Sequence, residues 1–284
     1  MARQFSESKE IEHTIQTTYR RKIWTKFVKA ISDFSLIGES DKIAVCISGG
    51  KDSMLLAKLL QMYKRIGSIN FDLVYLVMDP GYTEDALNSI KENAKKLELP
   101  ITIFNTPIFD ATSKIKNNPC YICARMRRGY LYSKAKELGC NKIALGHHFS
   151  DVIETTLISI LHGGQIQGML PRVKSENYEG MELIRPLYYV HEDSIINWQN
   201  RNNLQFINCA CKVSKKNTEL GDETTSIRKQ VKLLIKQLKQ KNEFVEDNIF
   251  MCMNNVQLDF CRGYKIDGKK HSFMEKYDNN RTKK

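Results

Sequence analysis

No run of about 18 apolar residues interrupts the 284-residue chain, so no helix long enough to cross a bilayer is expected and no membrane partner with it. The first residues, Met1-Ala-Arg-Gln-Phe-Ser-Glu7, lack the apolar centre of a secretory signal, which points to a cytoplasmic protein. Internal repeats are missing, which argues against solenoid and propeller arrays. Eight cysteines in such a setting are expected to be reduced, metal-bound or catalytic, and not a disulfide framework. A hydrophobic content of 42% is ordinary for a globular chain with a sizeable core.

The chain also lacks the commonest phosphate loop, whose first glycine stands four residues before a Gly-Lys-Ser/Thr; here the glycines are adjacent. What it has is Lys42-Ile-Ala-Val-Cys-Ile-Ser-Gly-Gly-Lys-Asp-Ser53. An apolar run, Ile43 to Ile47, reads as a buried strand, and Met54 to Tyr63 read as a helix. Between them Gly49 and Gly50 permit backbone conformations that other residues avoid. The N–H groups of Ser48 to Asp52 are then free to converge on phosphate oxygens at a helix N-terminus, with Lys51 adding a point charge. Ser48-Gly49-Gly50-Lys51-Asp52-Ser53 resembles the PP-loop of ATP pyrophosphatases, which hold the β,γ-pyrophosphate as a leaving group and transfer AMP to a substrate oxygen.

Formal charge is +12, clustered at Arg20-Arg21-Lys22, Arg125 to Arg128, Lys212 to Lys216 and Ile227 to Lys241, which points to a polyanionic partner. Residues 9–34 read as one amphipathic helix, with Ile15, Tyr19, Ile23, Phe27 and Ile31 at helical spacing. Strands are expected at 71–78, 101–104, 142–145 and near Leu183. Helices are expected after Thr83, over 130–138, 191–200, 226–240 and 245–258. This alternation calls for an α/β fold with a doubly wound parallel sheet and ligands at the carboxyl ends of its strands. The expected organisation is an N-terminal helical appendage (1–40), a nucleotide-binding domain (41–190), a small helical C-terminal region with a cysteine site (191–265) and a frayed basic tail (266–284).

Asn118-Pro119-Cys120-Tyr121-Ile122-Cys123 is a C-x-x-C knuckle followed by Arg125-Met-Arg-Arg-Gly129. Three readings of it are open: half of a zinc site completed by Cys209 and Cys211, a redox pair, or two of three ligands to an iron–sulfur cluster. Cys46, Cys140, Cys252 and Cys261 read as packing residues.

The PP-loop, the knuckle with Arg-x-Arg-Arg-Gly, Gly146-His-His-Phe-Ser-Asp-Val-Ile-Glu-Thr155, Ile184-Arg-Pro-Leu187 and a cysteine site near residue 210 occur in an order similar to that of the tRNA 2-thiocytidine synthetase family. The similarity spans about residues 18 to 260. It implies a PP-loop, adenine-nucleotide alpha-hydrolase-like fold. It also implies a magnesium- and ATP-dependent enzyme that adenylates the O2 of a cytidine in the tRNA anticodon loop and replaces it with sulfur. Cys120, Cys123 and one of Cys209 and Cys211 would hold a [4Fe-4S] cluster, whose fourth iron is left open for hydrosulfide. Expected partners are tRNA and a sulfur donor such as a cysteine desulfurase, and a homodimer is admitted. The alternatives are a PP-loop sulfurtransferase acting on another tRNA base or a small metabolite, and a non-catalytic RNA-binding protein.

On this resemblance ATP would contact Ser48 to Ser53, Gly146 and His147, with Gly146 letting the nucleotide approach the strand end. Lys51, Arg128 and Asp151 are the expected catalytic residues, with Arg127 helping to orient the base and Asp151 helping to hold magnesium. Glu154 reads equally as cap and functional group. Two departures stand out. Asn208-Cys-Ala-Cys211-Lys replaces the family's C-x-x-C-G-S, and Ser150 stands where the family tends to have an aspartate before Asp151.

Overall fold

Five consecutive apolar residues, three of them β-branched, sit between the turn at Asp41 and Gly49, and they form β1 (Lys42–Ile47) at the middle of a six-stranded sheet. The structure, a computed structural model, describes residues 6–113, 119–207, 227–275 and 277; within it, Cys120 is described by its backbone alone. The chain divides into two compact units, Met1–Gln230 and Val231–Lys284.

In the first unit β1 leads into α3 (Lys51–Ile66), then β2 (Asp72–Asp79), α4 (Glu84–Lys96), β3 (Ile101–Asn105), α5 (Ile108–Ser113) and α6 (Pro119–Glu137). Next come β4 (Lys142–Ala144), α7 (Phe149–Gly163), the short strands β5 (Arg172–Lys174) and β6 (Glu182–Ile184), and α8 (Glu192–Arg201). Strand order is β3-β2-β1-β4-β6-β5. All neighbours run parallel except β5, an antiparallel edge strand whose Arg172 and Lys174 discourage further pairing. The doubly wound sheet expected from the alternation of strands and helices is present. From β1 the chain winds outward to β3 and then returns to lay β4 on the other side of β1. This reversal opens a crevice at the carboxyl ends of β1 and β4.

Alternation along β1 sends Ala44 and Cys46 into a cluster with Tyr132 and Ala135 of α6, Cys140 and Ile143. Burial pushes the Cys46 thiol up to about 12, and it also raises that of Cys140, so both behave as packing groups.

The N-terminal segment is not the single helix that its spacing suggests. It comprises α1 (Glu7–Gln16), a π-helical turn (Arg20–Trp24) and α2 (Thr25–Asp33). Ile15, Tyr19, Ile23, Phe27 and Ile31 recur every fourth residue and are all buried. In a straight α-helix that spacing would rotate the stripe by about 40° per step. The wider π turn, marked by the Tyr19 N–H donating to the Thr14 carbonyl, brings the stripe back onto the core. Lys58 of α3, fully buried, anchors the segment by donating to Ser8 Oγ at 2.7 Å and pairing with Glu12 at 2.8 Å.

α9 (Ile227–Lys241) begins in the first unit and continues into the second, which also holds α10 (Val245–Cys252) and a hairpin of β7 (Gly263–Ile266) and β8 (Lys269–Ser272). Composition suggests a frayed tail from residue 266; instead the hairpin carries order to Ser272. Among the described residues no helix is long and apolar enough to cross a membrane.

Candidate active site

The residues singled out from Ser48 to Ser53 sit at the crevice between β1 and β4. Gly49 takes φ 85°, in the left-handed region, and a Cβ there would meet Ile90 Cγ1 at 2.7 Å. Gly50 is the N-cap of α3, and no side chain caps this helix, so the N–H groups of Lys51, Asp52 and Ser53 open the helix toward the crevice. Ser53 Oγ accepts from the Ser48 N–H at 3.1 Å and donates to the Gly50 carbonyl at 2.9 Å, which ties the loop into one shape. The result is a preformed anion cradle at a helix N-terminus.

Gly146 follows β4 and faces this cradle from below. A Cβ on it would meet Asp52 C and Ser53 N, both at 3.0 Å. The close approach that the glycine permits is therefore that of the loop backbone itself, where the sequence suggests the nucleotide.

Lys51 Nζ lies 3.1 Å from Glu192 Oε1 and 3.3 Å from Asp52 Oδ2. Burial alone would lower the lysine, but the two carboxylates outweigh it and raise its pKa, so the charge is retained. Burial raises the Asp52 carboxyl, against the pull of His148 and Lys51. Asp52 Oδ1 is buried and has no hydrogen-bond partner, and His148 Nδ1 is in the same position. An oxygen of this kind suits a magnesium ion on polyphosphate, which is commonly held by one or two carboxylates with phosphates and water completing the shell. Among the described residues no group of three His, Cys, Asp or Glu side chains could hold a metal by itself, and a site shared with phosphates does not need one.

His148 is the N-cap of α7, and Asp151 Oδ2 accepts from its N–H at 3.1 Å. Asp151 Oδ1 pairs with Arg228 at 2.7 Å, and Arg228 also reaches Glu154 Oε2 at 3.2 Å. Sequence groups Arg228 with the basic face of α9; here its guanidinium is spent on two carboxylates of α7. Arg185 Nε donates to His147 Nδ1 at 3.3 Å, which assigns the ring proton to Nε2. Burial, together with the charge of Arg185, pushes His147 down to about 4. Burial likewise lowers Arg185 to about 10, with Arg128 adding to it.

A cavity of about 370 Å³ is lined by Ser48, Asp52 and Ser53 of the cradle, Arg127 and Arg128 of α6, and His147 and Asp151 beyond β4. α6 begins at Pro119, eleven residues earlier than the expected helix at Tyr130, so the C-x-x-C opens a helix after all. Helical spacing puts positions 120, 123 and 127 on one stripe. Cys123 is half-buried, and Arg127, one turn on, reaches the cavity and donates to Tyr82 Oη at 3.1 Å. Cys209 and Cys211, and the Lys212 to Lys216 cluster, lie outside the described residues.

Glu192 is a site residue that sequence reasoning misses. Its N–H donates to Ser150 Oγ at 3.4 Å, so the residue that departs from the family pattern helps seat the carboxylate that holds Lys51. Nothing in the local sequence signals this; it depends on α8 packing beside α3.

A PP-loop domain model matches residues 17–219. The chain is 36% identical over 241 residues to a tRNA-cytidine(32) 2-sulfurtransferase of Geobacter metallireducens, covering 84% of this chain and 90% of the relative. It is 35% identical over 232 residues to the protein of that name from Pelobacter propionicus, covering 80% and 83%. Among solved structures, the U34-tRNA thiolase NcsA from Methanococcus maripaludis, with its [4Fe-4S] cluster, shares the fold at a TM-score of 0.63 and 20% identity, covering 82% of this chain and 79% of that one.

Proposed function

The chain belongs to the PP-loop family of tRNA-cytidine 2-sulfurtransferases, and from that premise we propose that it adenylates the O2 of a tRNA cytidine, at the position 32 for which its relatives are named, and exchanges that oxygen for sulfur. The observation that carries this reading is a cavity walled by the PP-loop on one side and by the α6 stripe that leads to Cys123 on the other.

In this reading the N–H groups at the start of α3, with Lys51, hold the β,γ-pyrophosphate of ATP and favour the charge that develops on it as it leaves. Asp52 and Asp151 would hold magnesium on the phosphates, where it would offset their charge. Arg127 and Arg128 orient the base and the α-phosphate. His147, neutral at working pH, offers its Nε2–H to the same cavity without adding charge. The cytidine O2 attacks the α-phosphorus, the bond to pyrophosphate breaks, and the poor leaving oxygen becomes part of an AMP leaving group.

Cys120, Cys123 and one of Cys209 and Cys211 would hold the [4Fe-4S] cluster. Two cysteine positions one helical turn apart on α6, the helix that brings Arg127 to the cavity, suit such a group. It would supply the sulfur that displaces AMP.

Mass spectrometry of tRNA nucleosides from a deletion strain tests the assignment. Loss of 2-thiocytidine is the expected result. Its retention, or loss of a different thiolated base, would overturn the cytidine reading.

A further inference from the structure

The second unit carries a hairpin that lies beyond the segment matched by the PP-loop model, which ends at residue 219. β7 and β8 are joined by Asp267 and Gly268, both in the left-handed region at φ 48° and 76°, a two-residue turn that matches strand twist. The register pairs Gly263 with Ser272, Tyr264 with His271, Lys265 with Lys270 and Ile266 with Lys269. Side chains alternate along each strand, so Gly263, Lys265, Lys270 and Ser272 share one face, and all four are exposed. The other face holds Tyr264 and His271, half-buried and stacked with centroids 5.1 Å apart.

Two lysines directly opposite each other on one face of a hairpin repel, and among the described residues Asp267, in the turn between them, forms no ion pair with either. Lys265, Lys269, Lys270 and Arg262 have no carboxylate partner among the described residues. Nearby Glu275 is engaged by His271 at 3.3 Å and by the Ser272 N–H at 3.0 Å. The arrangement makes sense as a surface completed by an external anion.

We propose that the exposed face of the hairpin, centred on Lys265 and Lys270, docks the phosphate backbone of the RNA substrate. The proposal rests on the tRNA reading above and adds a contact outside the catalytic unit. A polyanion fits this face better than a bilayer, because the face presents no apolar side chain to insert; Ile266 is on the opposite side. The lysine ammonium is a point charge on a flexible stem, so the contact is to phosphate and independent of base sequence.

The test is the full-length enzyme with Lys265→Thr and Lys270→Thr combined, compared with wild type for binding of unmodified tRNA across a salt series. With two fewer phosphates neutralised, the log-log salt slope should flatten by roughly 1.4 to 1.8. KM for tRNA should rise, and kcat at saturating tRNA should stay unchanged. The melting temperature of the free variant should stay level or rise, since a repulsive pair is removed, so weaker binding could not be blamed on misfolding. Lys265→Arg with Lys270→Arg should keep the wild-type slope. A wild-type protein that binds tRNA with steep salt dependence, beside a threonine variant with the same slope, would overturn the hairpin assignment and leave the tRNA reading standing. A wild type that does not bind tRNA would overturn both. Lysine-dependent binding to phosphatidylcholine–phosphatidylglycerol vesicles, with tRNA binding unaffected, would reassign the face to lipid.

Discussion

Lys51 Nζ and Glu192 Oε1, 3.1 Å apart, join the first residue of α3 to the first residue of α8 across 141 positions of sequence. In the proposed reading the phosphates of ATP compete with this carboxylate for the PP-loop lysine. Lys51→Ala should lower turnover on the order of 100-fold or more, because it removes a preorganised donor aimed at the departing charge. Glu192→Gln keeps the shape and drops the competing charge, so ATP should bind about a few-fold more tightly. Pyrophosphate release and ATP titration check both. The products should be AMP and pyrophosphate, and formation of ADP would contradict the loop's assignment.

Gly146→Ala tests the packing beneath the cradle. The added methyl meets the Asp52–Ser53 peptide, 3.0 Å from both its carbon and its nitrogen, and backbone cannot rotate away as a side chain can. The first turn of α3 must shift by a few tenths of an ångström. Misplacements of about 1 Å cost on the order of 100-fold, so a loss of roughly 10-fold or more in kcat/KM is expected with the fold intact by circular dichroism. Wild-type kinetics in this variant would mean the loop tolerates the displacement.

Much of this site can be read from the sequence because it is local. Ser48 to Ser53 and Gly146 to Asp151 each combine a strand end, a turn and a helix start within a few residues, and the α/β alternation places both at one edge. What is not legible depends on tertiary packing or on weak local signals. Glu192 reaches Lys51 only through the packing of α8, and Arg228 turns to α7 although its helix looks uniformly basic. The early start of α6 is hidden by Gly129 and an arginine-rich stretch, although Pro119 at the first helical position is a known opening signal. Asp267-Gly268 likewise announces the hairpin, but three neighbouring lysines make the segment read as a tail.

The cysteines give a spectroscopic test. Protein purified without oxygen should be brown and carry about four irons per chain. Cys120→Ala or Cys123→Ala should remove colour and thiolation together, while ATP binding persists. Cys211→Ala should be damaging and Cys209→Ala milder. Stoichiometric zinc with full activity in air would refute the cluster.

His147 gives a pH signature. Burial and Arg185 lower its pKa to about 4, below the value of about 6.5 for an unfolded histidine. Between these values the unfolded chain binds a proton that the folded chain refuses, so stability rises with pH across the window and falls on acidification from about 6.5 toward 4. Asp41 and Glu12 are lowered as well, so they too lose stability on acidification, in a more acid window than His147. Burial raises each, but hydrogen bonds from Lys142 to Asp41, and from Arg65 and Lys58 to Glu12, outweigh it and hold both low. Their contribution is present above the ordinary carboxylate range and is lost only at more acid pH. Chemical denaturation from pH 7 to 4 should show a slope that His147→Asn flattens, and NMR should find His147 neutral throughout most of that range. An ordinary titration near 6.5 would contradict the buried pair with Arg185.

Arg228 separates catalysis from substrate capture. Its guanidinium reaches Asp151 at 2.7 Å and Glu154 at 3.2 Å, whereas Lys232 and Lys236 are exposed positions on the same helix. Lys232→Gln with Lys236→Gln should flatten the salt dependence of tRNA binding, by roughly 0.7 to 0.9 in log-log slope for each phosphate no longer neutralised, and leave kcat alone. Arg228→Gln should leave that slope nearly unchanged. It releases two carboxylates next to the cavity, adding uncompensated negative charge where ATP phosphates must approach. The expected result is a higher KM for ATP and a kcat lower by about 10-fold or more, partly restored by raised magnesium. If Arg228→Gln instead behaved like the lysine variants, losing salt-dependent tRNA affinity with normal ATP kinetics, the arginine would be a phosphate-binding group and its place beside Asp151 would carry no catalytic weight.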